Sequence, residues 1–419
     1  MTYVEFFDKN AAENICACLS NVPERVVLIG ESLKVMDKHI VNYKTVFAKR
    51  GYEPEFIAVS ASKNNVESAV RAITKIVEAY DDCVFDITGG DEMFMLALGI
   101  VYSNNIDKNI QIHRFNIRNN AIYDCDKDGF TIYQKMPVLS VAENVMIYGG
   151  EIVYGDISEE KTYLWDMSPE FEADIDAMWE ICRPDVRLWN SQVGVLETVD
   201  ALGKQSEDGL STTVKISVLE EYLKRKKFKM KFIKRIICGL CRKGLITKFE
   251  NDEQTVAVSY KNHQIKKCLT KSGQVLEMKI FNIARKMCDK KGAPIYNDAV
   301  NGAVIDWDGR LNDQDGVVDR YETTNEIDIL LMHNMIPVFI SCKNGIVNME
   351  ELYKLNTVAE RFGGKYSKKV LIATAIDQIG DNGNFIRRRA DDMNIHIIEG
   401  IQQMNDERII KELKNLWNK

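Results

Sequence analysis

The chain has 419 residues, of which 45% are hydrophobic, and its 55 basic and 62 acidic residues leave a formal net charge of -7. A chain of this length usually folds into two or three domains, each with its own core. No segment approaches the roughly 18 to 20 uncharged apolar residues of a transmembrane helix, and residues 1–10 carry acids where a signal peptide carries bases. The sequence therefore predicts a cytoplasmic protein without a membrane segment. The negative charge argues against nucleic acid wrapped over the whole surface, but it permits a local site.

The ten cysteines are scattered, mostly within apolar runs such as Ile237-Cys238 and Met287-Cys288. This distribution predicts reduced thiols in a core and not a disulfide framework. Cys238 and Cys241 form a CxxC pair, but no second Cys or His pair follows at the spacing that a structural zinc site needs. We interpret them as two positions on one helix.

The N-terminal region, residues 1–159, alternates short β-rich runs with helical patterns, which is typical of a largely parallel, Rossmann-like sheet covered by helices. The predicted strands are VVLIG, EFIAVS and CVFDITGG, and the predicted helices run through residues 41–50, 66–80 and 93–102. Three later segments, IQIHRFNI, GFTIYQK and NVMIYGGEIVYG, are predicted to be antiparallel additions.

Two loops follow predicted strands of this sheet, at the edge where such folds bind ligands. Adjacent glycines there would let a phosphate or ribose approach the backbone, although a tight turn with a capped helix explains the same residues and is favoured by the residues alone. The first strand leads into GESLK and not into a G-x-G-x-x-G turn, which argues against an NAD enzyme. The candidate ligand-binding residues are Gly30, Glu31, Ser32, Ser60, Thr88, Gly89, Gly90 and Asp91.

The middle region, residues 160–263, is predicted to be helical and to end in a hairpin. ISVLEEYL, a second helix ending at Gly244 and a β wing across Glu250 to Gln254 resemble a winged helix. Ten Lys or Arg and no acid lie between Lys224 and Lys243, on and before the second helix. Two interpretations stay open: a nucleic-acid surface, or a linker and dimerisation module with solvated bases.

The C-terminal region, residues 264–419, begins with a predicted helix over 274–288. Strands near residues 299–307, 326–332 and 337–342 follow, and then a helix over 349–362, the strand KVLIAT, a helix over 385–392, the strand IHIIEG and a last helix. This αβββαβ order is the layout of a restriction-endonuclease-like core, although topology alone is weak evidence of function.

The candidate catalytic residues lie mainly on a predicted hairpin, NEIDILLMHNMIPVFISCKNG, residues 325–345. If its turn is Asn334 and Met335, Asp328 lies opposite Ser341 and Glu326 lies opposite Lys343, so that all four side chains share one face. Acids and a lysine on an apolar hairpin are costly to bury unless a divalent cation such as Mg²⁺ or Mn²⁺ uses them. A surface salt bridge on an open sheet is the alternative.

The segments SGQVLE, VNGAVIDWDG, NEIDILL, PVFISCKNG and ELYKLNTVAERFGG resemble the PD-(D/E)XK nuclease half of a bacterial family. Members of that family carry an N-terminal CARF domain, the Rossmann-like sensor of CRISPR-associated proteins. The order of sensor, winged helix and nuclease covers the whole chain. The resemblance implies a type III CRISPR ancillary effector: a homodimer that binds cyclic oligoadenylate, with cyclic tetra-adenylate as the expected ring, and then cuts DNA or RNA.

The resemblance also assigns catalytic roles. Glu277, a lone helix glutamate that is otherwise expected to be solvated, matches the family's helix glutamate, Asp328 its metal aspartate and Lys343 its catalytic lysine. Ser341 stands where the superfamily usually has an acid, so the second carboxylate is expected from Glu277 or Glu326. The Ser341 hydroxyl or the Cys342 carbonyl could still touch the metal.

The N-terminal loop departs from the family pattern, because the usual TGG followed by Thr-Lys is here followed by Asp91-Glu92. Acids at this point would repel a phosphate unless they cap the helix or face away. The alternative function is therefore a nucleotide-responsive, winged-helix DNA-binding regulator whose nuclease domain is degenerate.

Overall fold

The computed structural model describes residues 1–125, 136–155, 161–225, 232–309, 324–376 and 382–417. Within these ranges the strands form three sheets: a six-stranded sheet in the N-terminal region, a four-stranded sheet in the middle region and a six-stranded sheet in the C-terminal region. No helix in the described part of the chain is both long and apolar enough to span a bilayer. The predicted segment GFTIYQK lies outside the described residues.

The N-terminal sheet has the strand order β3-β2-β1-β4-β5-β6, and all neighbours are parallel except β5 and β6. Its elements and the two that follow are β1 (Thr2–Phe6), α1 (Cys16–Asn21), β2 (Arg25–Gly30), α2 (Leu33–Lys49), β3 (Glu55–Ser60), α3 (Val66–Ala79), β4 (Asp82–Asp86), α4 (Glu92–Asn104), β5 (Asn109–Asn116), β6 (Ala121–Asp124), α5 (Val141–Ile147) and β7 (Glu151–Ile152).

The parallel, Rossmann-like arrangement agrees with the sequence prediction, but three local predictions were wrong. The first strand is β1, and VVLIG belongs to the second strand, β2. Strand β1 was not predicted because it contains the polar residues Thr2 and Glu5, although both are buried. IQIHRFNI is β5, which pairs parallel to β4. NVMIYGG is mostly the helix α5, which starts with a complete Ser140–Glu143 capping box.

The middle region has the predicted order of helices followed by a hairpin. Its elements are α6 (Pro169–Cys182), α7 (Val186–Leu202), β8 (Lys204–Gln205), β9 (Ser211–Lys215), α8 (Ile216–Arg225), α9 (Lys234–Arg242), β10 (Ile246–Asn251) and β11 (Thr255–Tyr260). The β10–β11 hairpin stands where the wing was predicted. Residues 226–231 of the basic cluster lie outside the described ranges.

The C-terminal region has the predicted αβββαβ order, and α12 crosses over between the parallel strands β14 and β15. Its elements are α10 (His263–Thr270), α11 (Gln274–Arg285), β12 (Asp298–Asp306), β13 (Thr324–His333), β14 (Ile336–Val347), α12 (Met349–Gly363), β15 (Lys368–Ile376), α13 (Asn382–Asp392), β16 (Ile395–Glu399) and α14 (Asp406–Asn415). Strand β7 from the N-terminal region pairs with β12 and completes this sheet.

The C-terminal sheet is covered on both faces, because alternate residues of a strand point to opposite sides. On one face Ile329 and Ile340 pack in a core shared with the helices of the middle region. On the other face Leu330 and Phe339 pack in a core shared with the N-terminal region. This second core combines N-terminal Tyr3, Ile15, Met36 and Tyr43 with C-terminal Phe362 and Leu371.

Polar contacts reinforce the junction between the N-terminal and C-terminal regions. Lys365 forms an ion pair of 2.8 Å with Glu13, whose side chain is only 2% exposed. Asn144 of α5 donates to the Phe362 carbonyl at 2.8 Å. The two regions are therefore packed as neighbours and not merely tethered.

The cysteine prediction was partly wrong. Among the described residues all ten thiols are free and six are buried, but Cys238 and Cys288, which lie in apolar runs, are exposed together with Cys125 and Cys241. Cys238 and Cys241 both lie on α9, as expected for two positions on one helix. An amphipathic helix exposes some neighbours of its apolar residues, which explains the error.

A buried acid makes stability depend on pH. Burial raises the pKa of the Asp86 carboxyl to about 7, although hydrogen bonds from Thr88 act in the opposite direction. The unfolded chain releases this proton near pH 4 (about 3.9 for a free aspartate), so the free energy of unfolding should fall as pH rises from about 4 to about 7.

We expect the urea midpoint of the wild type to fall more between about pH 5 and about pH 8 than that of Asp86→Asn, which cannot titrate there. Parallel pH profiles for the two proteins would contradict the assignment. The asparagine side chain would keep an oxygen for the Thr88 donors, so the comparison depends on the slope and not on the absolute stability.

Candidate functional site

The β13–β14 hairpin has the predicted turn and register. Asn334 and Met335 form the turn, with Asn334 in the left-handed region at φ 57°, and Ile329 pairs with Ile340. Continuing this register places Asp328 beside Ser341, whose hydroxyl donates to Asp328 Oδ2 at 3.2 Å. The predicted pairing of Asp328 with Ser341 is therefore confirmed.

Asp328 is held from both its side chain and its backbone. Its Oδ2 also accepts a hydrogen bond of 2.6 Å from the Cys342 amide, and its carbonyl accepts one of 3.0 Å from Asn301 on the neighbouring strand β12. Backbone donors hold a carboxylate in one orientation at little entropic cost. Both contacts to the carboxylate use Oδ2.

Glu277 lies in the first turn of α11 and is 5% exposed, so it is not the solvated glutamate that a lone helix position suggests. Gln274 bridges it to the strands by donating to Glu277 Oε2 at 3.1 Å and to Asn301 at 3.2 Å. The preceding Gly273 has φ 89°, and a Cβ there would lie 3.3 Å from Glu277 Oε1. Glycine thus allows the backbone to approach the carboxylate.

Two lysines stand on either side of these acids. Lys343 forms an ion pair of 2.9 Å with Glu351 of α12. Lys271, from the end of α10, forms one of 2.6 Å with Glu326. Glu326 and Lys343, predicted to lie opposite each other, thus each have a different partner.

Glu326, Asp328, Ser341, Lys343 and Glu351 line one cavity of about 290 Å³. Burial, and then the charge of Asp328, raise the pKa of Glu277 well above its usual range. Burial also raises the pKa of Asp328, against the opposing effect of Lys343. Burial opposes the charge of Lys343, but Asp328 and Glu351 still raise its pKa, so this lysine is a cation near neutral pH.

The strand end that carries Lys343 is fixed by an asparagine pair. Asn344 donates to Asn190 Oδ1 of α7 at 3.0 Å, and the Asn190 side-chain amide donates back to the Asn344 carbonyl. A register shift follows between Lys343 and Ile346. The middle region therefore positions the residue next to the lysine.

The side chains fit a hard divalent cation. Glu277 and Asp328 offer carboxylate oxygens, Ser341 a hydroxyl and Cys342 a carbonyl, which are donors that Mg²⁺ and Mn²⁺ accept. In the described ranges no three His, Cys, Asp or Glu residues form a metal-binding group. Mg²⁺ needs only one or two carboxylates, because water and substrate phosphate supply its other ligands. The buried carboxyl group of Glu277 and the half-buried carboxylate of Asp328 are the observation that this fit explains.

The predicted loops of the N-terminal sheet surround a second cavity, of about 350 Å³. Gly30, Glu31, Ser32, Gly90 and Asp91 line it, whereas Ser60, Thr88 and Gly89 are absent from its lining. Phe7, Asp8, Lys9 and Lys63, which the sequence interpretation missed, also line it. The two lysines come from the loop after β1, a strand that was not foreseen, and from the loop after β3.

The polar residues of these loops also hold the turns. Ser32 caps α2, Asp91 caps α4 by accepting from Met93 at 3.1 Å, and Ser60 donates to the Glu31 carbonyl at 3.1 Å. The Thr88 hydroxyl bonds to Asp86 and accepts from the Phe115 amide at 2.7 Å. The capped-turn interpretation is therefore correct for Ser32 and Asp91, and Asp91 is an acid that caps its helix.

Gly90 has φ 98°, and a Cβ there would lie 2.4 Å from the Phe6 side chain. Only glycine permits this turn beside β1.

No protein-family model matches the chain, and no curated protein matches it. Among the solved structures that match the chain are two that align with its full length. Protein VC1899 from Vibrio cholerae has a TM-score of 0.70 at 14% identity, covering 100% of this chain and 97% of that one. Can2 from Sulfobacillus thermosulfidooxidans, solved in complex with cyclic tetra-adenylate, has a TM-score of 0.66 at 16% identity, covering 100% and 99%. At this identity the likeness establishes the fold.

Removing a buried, repelled carboxylate should stabilise the protein. We expect Glu277→Gln to raise the free energy of unfolding in EDTA by roughly 1 kcal/mol, because burial and the Asp328 charge oppose an ionisation of Glu277 that the unfolded chain permits. Glu220→Gln, an exposed change on α8, should stay within about 0.5 kcal/mol of wild type. Chemical unfolding monitored by circular dichroism measures both, and a clear loss of stability in Glu277→Gln would contradict the expectation.

Proposed function

We propose that the protein is a metal-dependent nuclease of the PD-(D/E)XK type that cuts DNA or RNA and is controlled by a cyclic oligoadenylate bound to its N-terminal, CARF-like region. The observation that carries the proposal is that Glu277, Asp328 and Lys343 come together from three elements. Asp328 and Lys343 line one cavity, and hydrogen bonds through Gln274 and Asn301 connect Glu277 to the Asp328 carbonyl. The resemblance of the C-terminal segments to that nuclease family supports the same roles.

In this proposal Asp328 and Glu277 would hold a Mg²⁺ or Mn²⁺ ion, whose charge would lower the pKa of a water and offset the charge that develops on the scissile phosphate. The Cys342 amide and Gln274 keep the two carboxyl groups in place. Lys343 orients the attacking water, and Glu351 holds its ammonium at 2.9 Å. Since Lys343 stays charged, it positions and stabilises the water and does not take its proton.

The presence of Ser341, where the superfamily usually has an acid, is the feature that would favour a regulator with a degenerate nuclease site. Its hydroxyl hydrogen-bonds to Asp328, so the residue has a role in orienting the metal carboxylate. Glu277, nearly fully buried, can supply the second carboxylate, whereas Glu326 is engaged with Lys271. These contacts support a working site over a degenerate one.

We expect Lys343→Ala to lower cleavage of labelled single-stranded DNA and RNA in Mn²⁺ by at least about 100-fold, because one charged group at the reacting phosphate is lost. Lys411→Ala, an exposed change on α14, should cleave like the wild type. Gel analysis with and without cyclic tetra-adenylate measures the rates. A wild type that binds duplex DNA tightly but cleaves nothing under any condition would favour the regulator.

The proposed activator site is the N-terminal cavity between the Gly30 and Gly90 turns. Lys9 is exposed, and Lys63, 3.5 Å from Glu31, is about half exposed, so both can reach the phosphates of a ligand. Apolar side chains exposed on α4, Leu96 at 56% and Ile100 at 38%, support pairing of two chains through this region. A homodimer would build one symmetric site from two cavities, which suits a symmetric ring.

The double variant Lys9→Gln and Lys63→Gln should bind cyclic tetra-adenylate at least tenfold more weakly, because two charge-assisted contacts are lost. Lys75→Gln, an exposed change on α3, is the matched control. Isothermal titration calorimetry on the full chain measures both. If the double variant binds cyclic tetra-adenylate with unchanged affinity, the ligand does not bind in this cavity.

A further inference from the structure

We infer that a single strand of nucleic acid reaches the Lys343 site along a groove between the middle and C-terminal regions, where Arg183 and Arg187 bind its phosphates. The inference rests on the proposed nuclease function and names how that site takes its substrate. The groove has a volume of about 720 Å³. We call it the arginine groove; its lining includes Arg183, Pro184, Val186, Arg187, Gly345 and Ile346.

The arginine groove begins where the catalytic strand ends. Gly345 lies two residues beyond Lys343 on β14, within the register shift that follows the lysine, and it lines the groove. Asn190, which also lines the groove, exchanges hydrogen bonds with Asn344. The groove wall and the strand that carries the lysine are thus one connected structure.

The charges of the arginine groove are available to a ligand. Arg187 is exposed and Arg183 is half-buried, and within the described ranges neither side chain forms an ion pair with an acid. Asp185 also lines the groove, but its carboxylate is engaged: it caps α7 by accepting from Leu188 and lies 3.8 Å from Arg235. Two uncompensated guanidinium groups beside a phosphodiester-cleaving site fit the phosphates of its substrate.

The basic helix α9 extends the same surface. Arg235 pairs with Asp185, Gly239 packs on Ile181, and the Ile233 amide donates to Gln192 of α7 at 2.6 Å. These contacts hold the exposed Lys234 and Arg235 next to the arginine groove. Lys234 and Arg235, the described part of the basic cluster at the start of α9, are therefore included in the inferred substrate path.

The apolar part of the lining favours a single strand over a duplex. Ile346 is 58% exposed at the mouth of the groove, close to Pro184, Val186 and Ala375. Unpaired bases offer their faces to such side chains, whereas a duplex keeps its bases stacked inside. Arginine can bind phosphate and also lie flat against a base.

The test measures binding separately from cleavage. Fluorescence anisotropy of short labelled DNA and RNA strands, with the full chain in EDTA over a series of salt concentrations, gives affinity without hydrolysis. The double variant Arg183→Gln and Arg187→Gln should bind at least tenfold more weakly. The slope of log affinity against log salt should fall in magnitude by about 1.4, because two single-strand phosphate contacts are lost.

Two matched variants make the result specific. Arg71→Gln with Arg114→Gln removes two exposed arginines from the N-terminal region and should bind like the wild type. Arg183→Lys with Arg187→Lys keeps both charges and should retain most of the salt dependence, which separates a charge effect from misfolding. In cleavage assays the Gln pair should raise KM with little change in kcat.

Arginine-dependent binding of DNA or RNA strands supports the inference, and the stronger of the two identifies the substrate sugar. Equal affinity and salt slope in the Gln variant and the wild type, or binding of duplex alone, would overturn it. If the wild type binds strands through these arginines but never cleaves them with Mn²⁺ and activator, the groove stands and the nuclease assignment fails.

Discussion

Burial of the C-terminal sheet on both faces is the constraint on which the rest of the structure depends. Its central strands place Ile329 and Ile340 against the middle region, and Leu330 and Phe339 against the N-terminal region. A sheet packed in this way has few positions where charged groups can lie. Asp328 and Lys343 interrupt the apolar pattern of the hairpin where a cavity opens beside it. The two cores therefore decide where a metal site can form.

The same packing links the proposed activator cavity to the proposed catalytic cavity. The N-terminal sheet and the C-terminal sheet share one core, with α5 and the Glu13–Lys365 ion pair at the junction. The middle region reaches the site from the other face through Asn190 and Asn344. A ligand that favours one arrangement of the N-terminal regions would act on the hairpin through packed side chains, because close-packed cores transmit small displacements.

Secondary structure was predictable wherever periodicity was strong, as in β2, α3 and the β13–β14 hairpin. The turn at Asn334 and Met335 set the register, and with it the placement of Asp328 beside Ser341, since register follows from the turn in a hairpin. Strand β1 and helix α5 were missed because both mix polar and apolar residues in patterns that their burial does not follow. Lys271, Gln274 and Asn301 are single polar residues on separate elements, and no spacing connects them.

The sequence by itself determined the hairpin register that places Asp328 beside Ser341 and the glycine turn before α4, because these depend on local spacing and backbone conformation. Only the tertiary structure decided that Glu277 is buried beside Asp328, that Lys271 pairs with Glu326, and that β7 joins the C-terminal sheet. It also brought Arg183 and Arg187 beside the end of β14. These contacts join residues that are far apart in the chain, so their energies depend on how the regions pack and not on any local pattern.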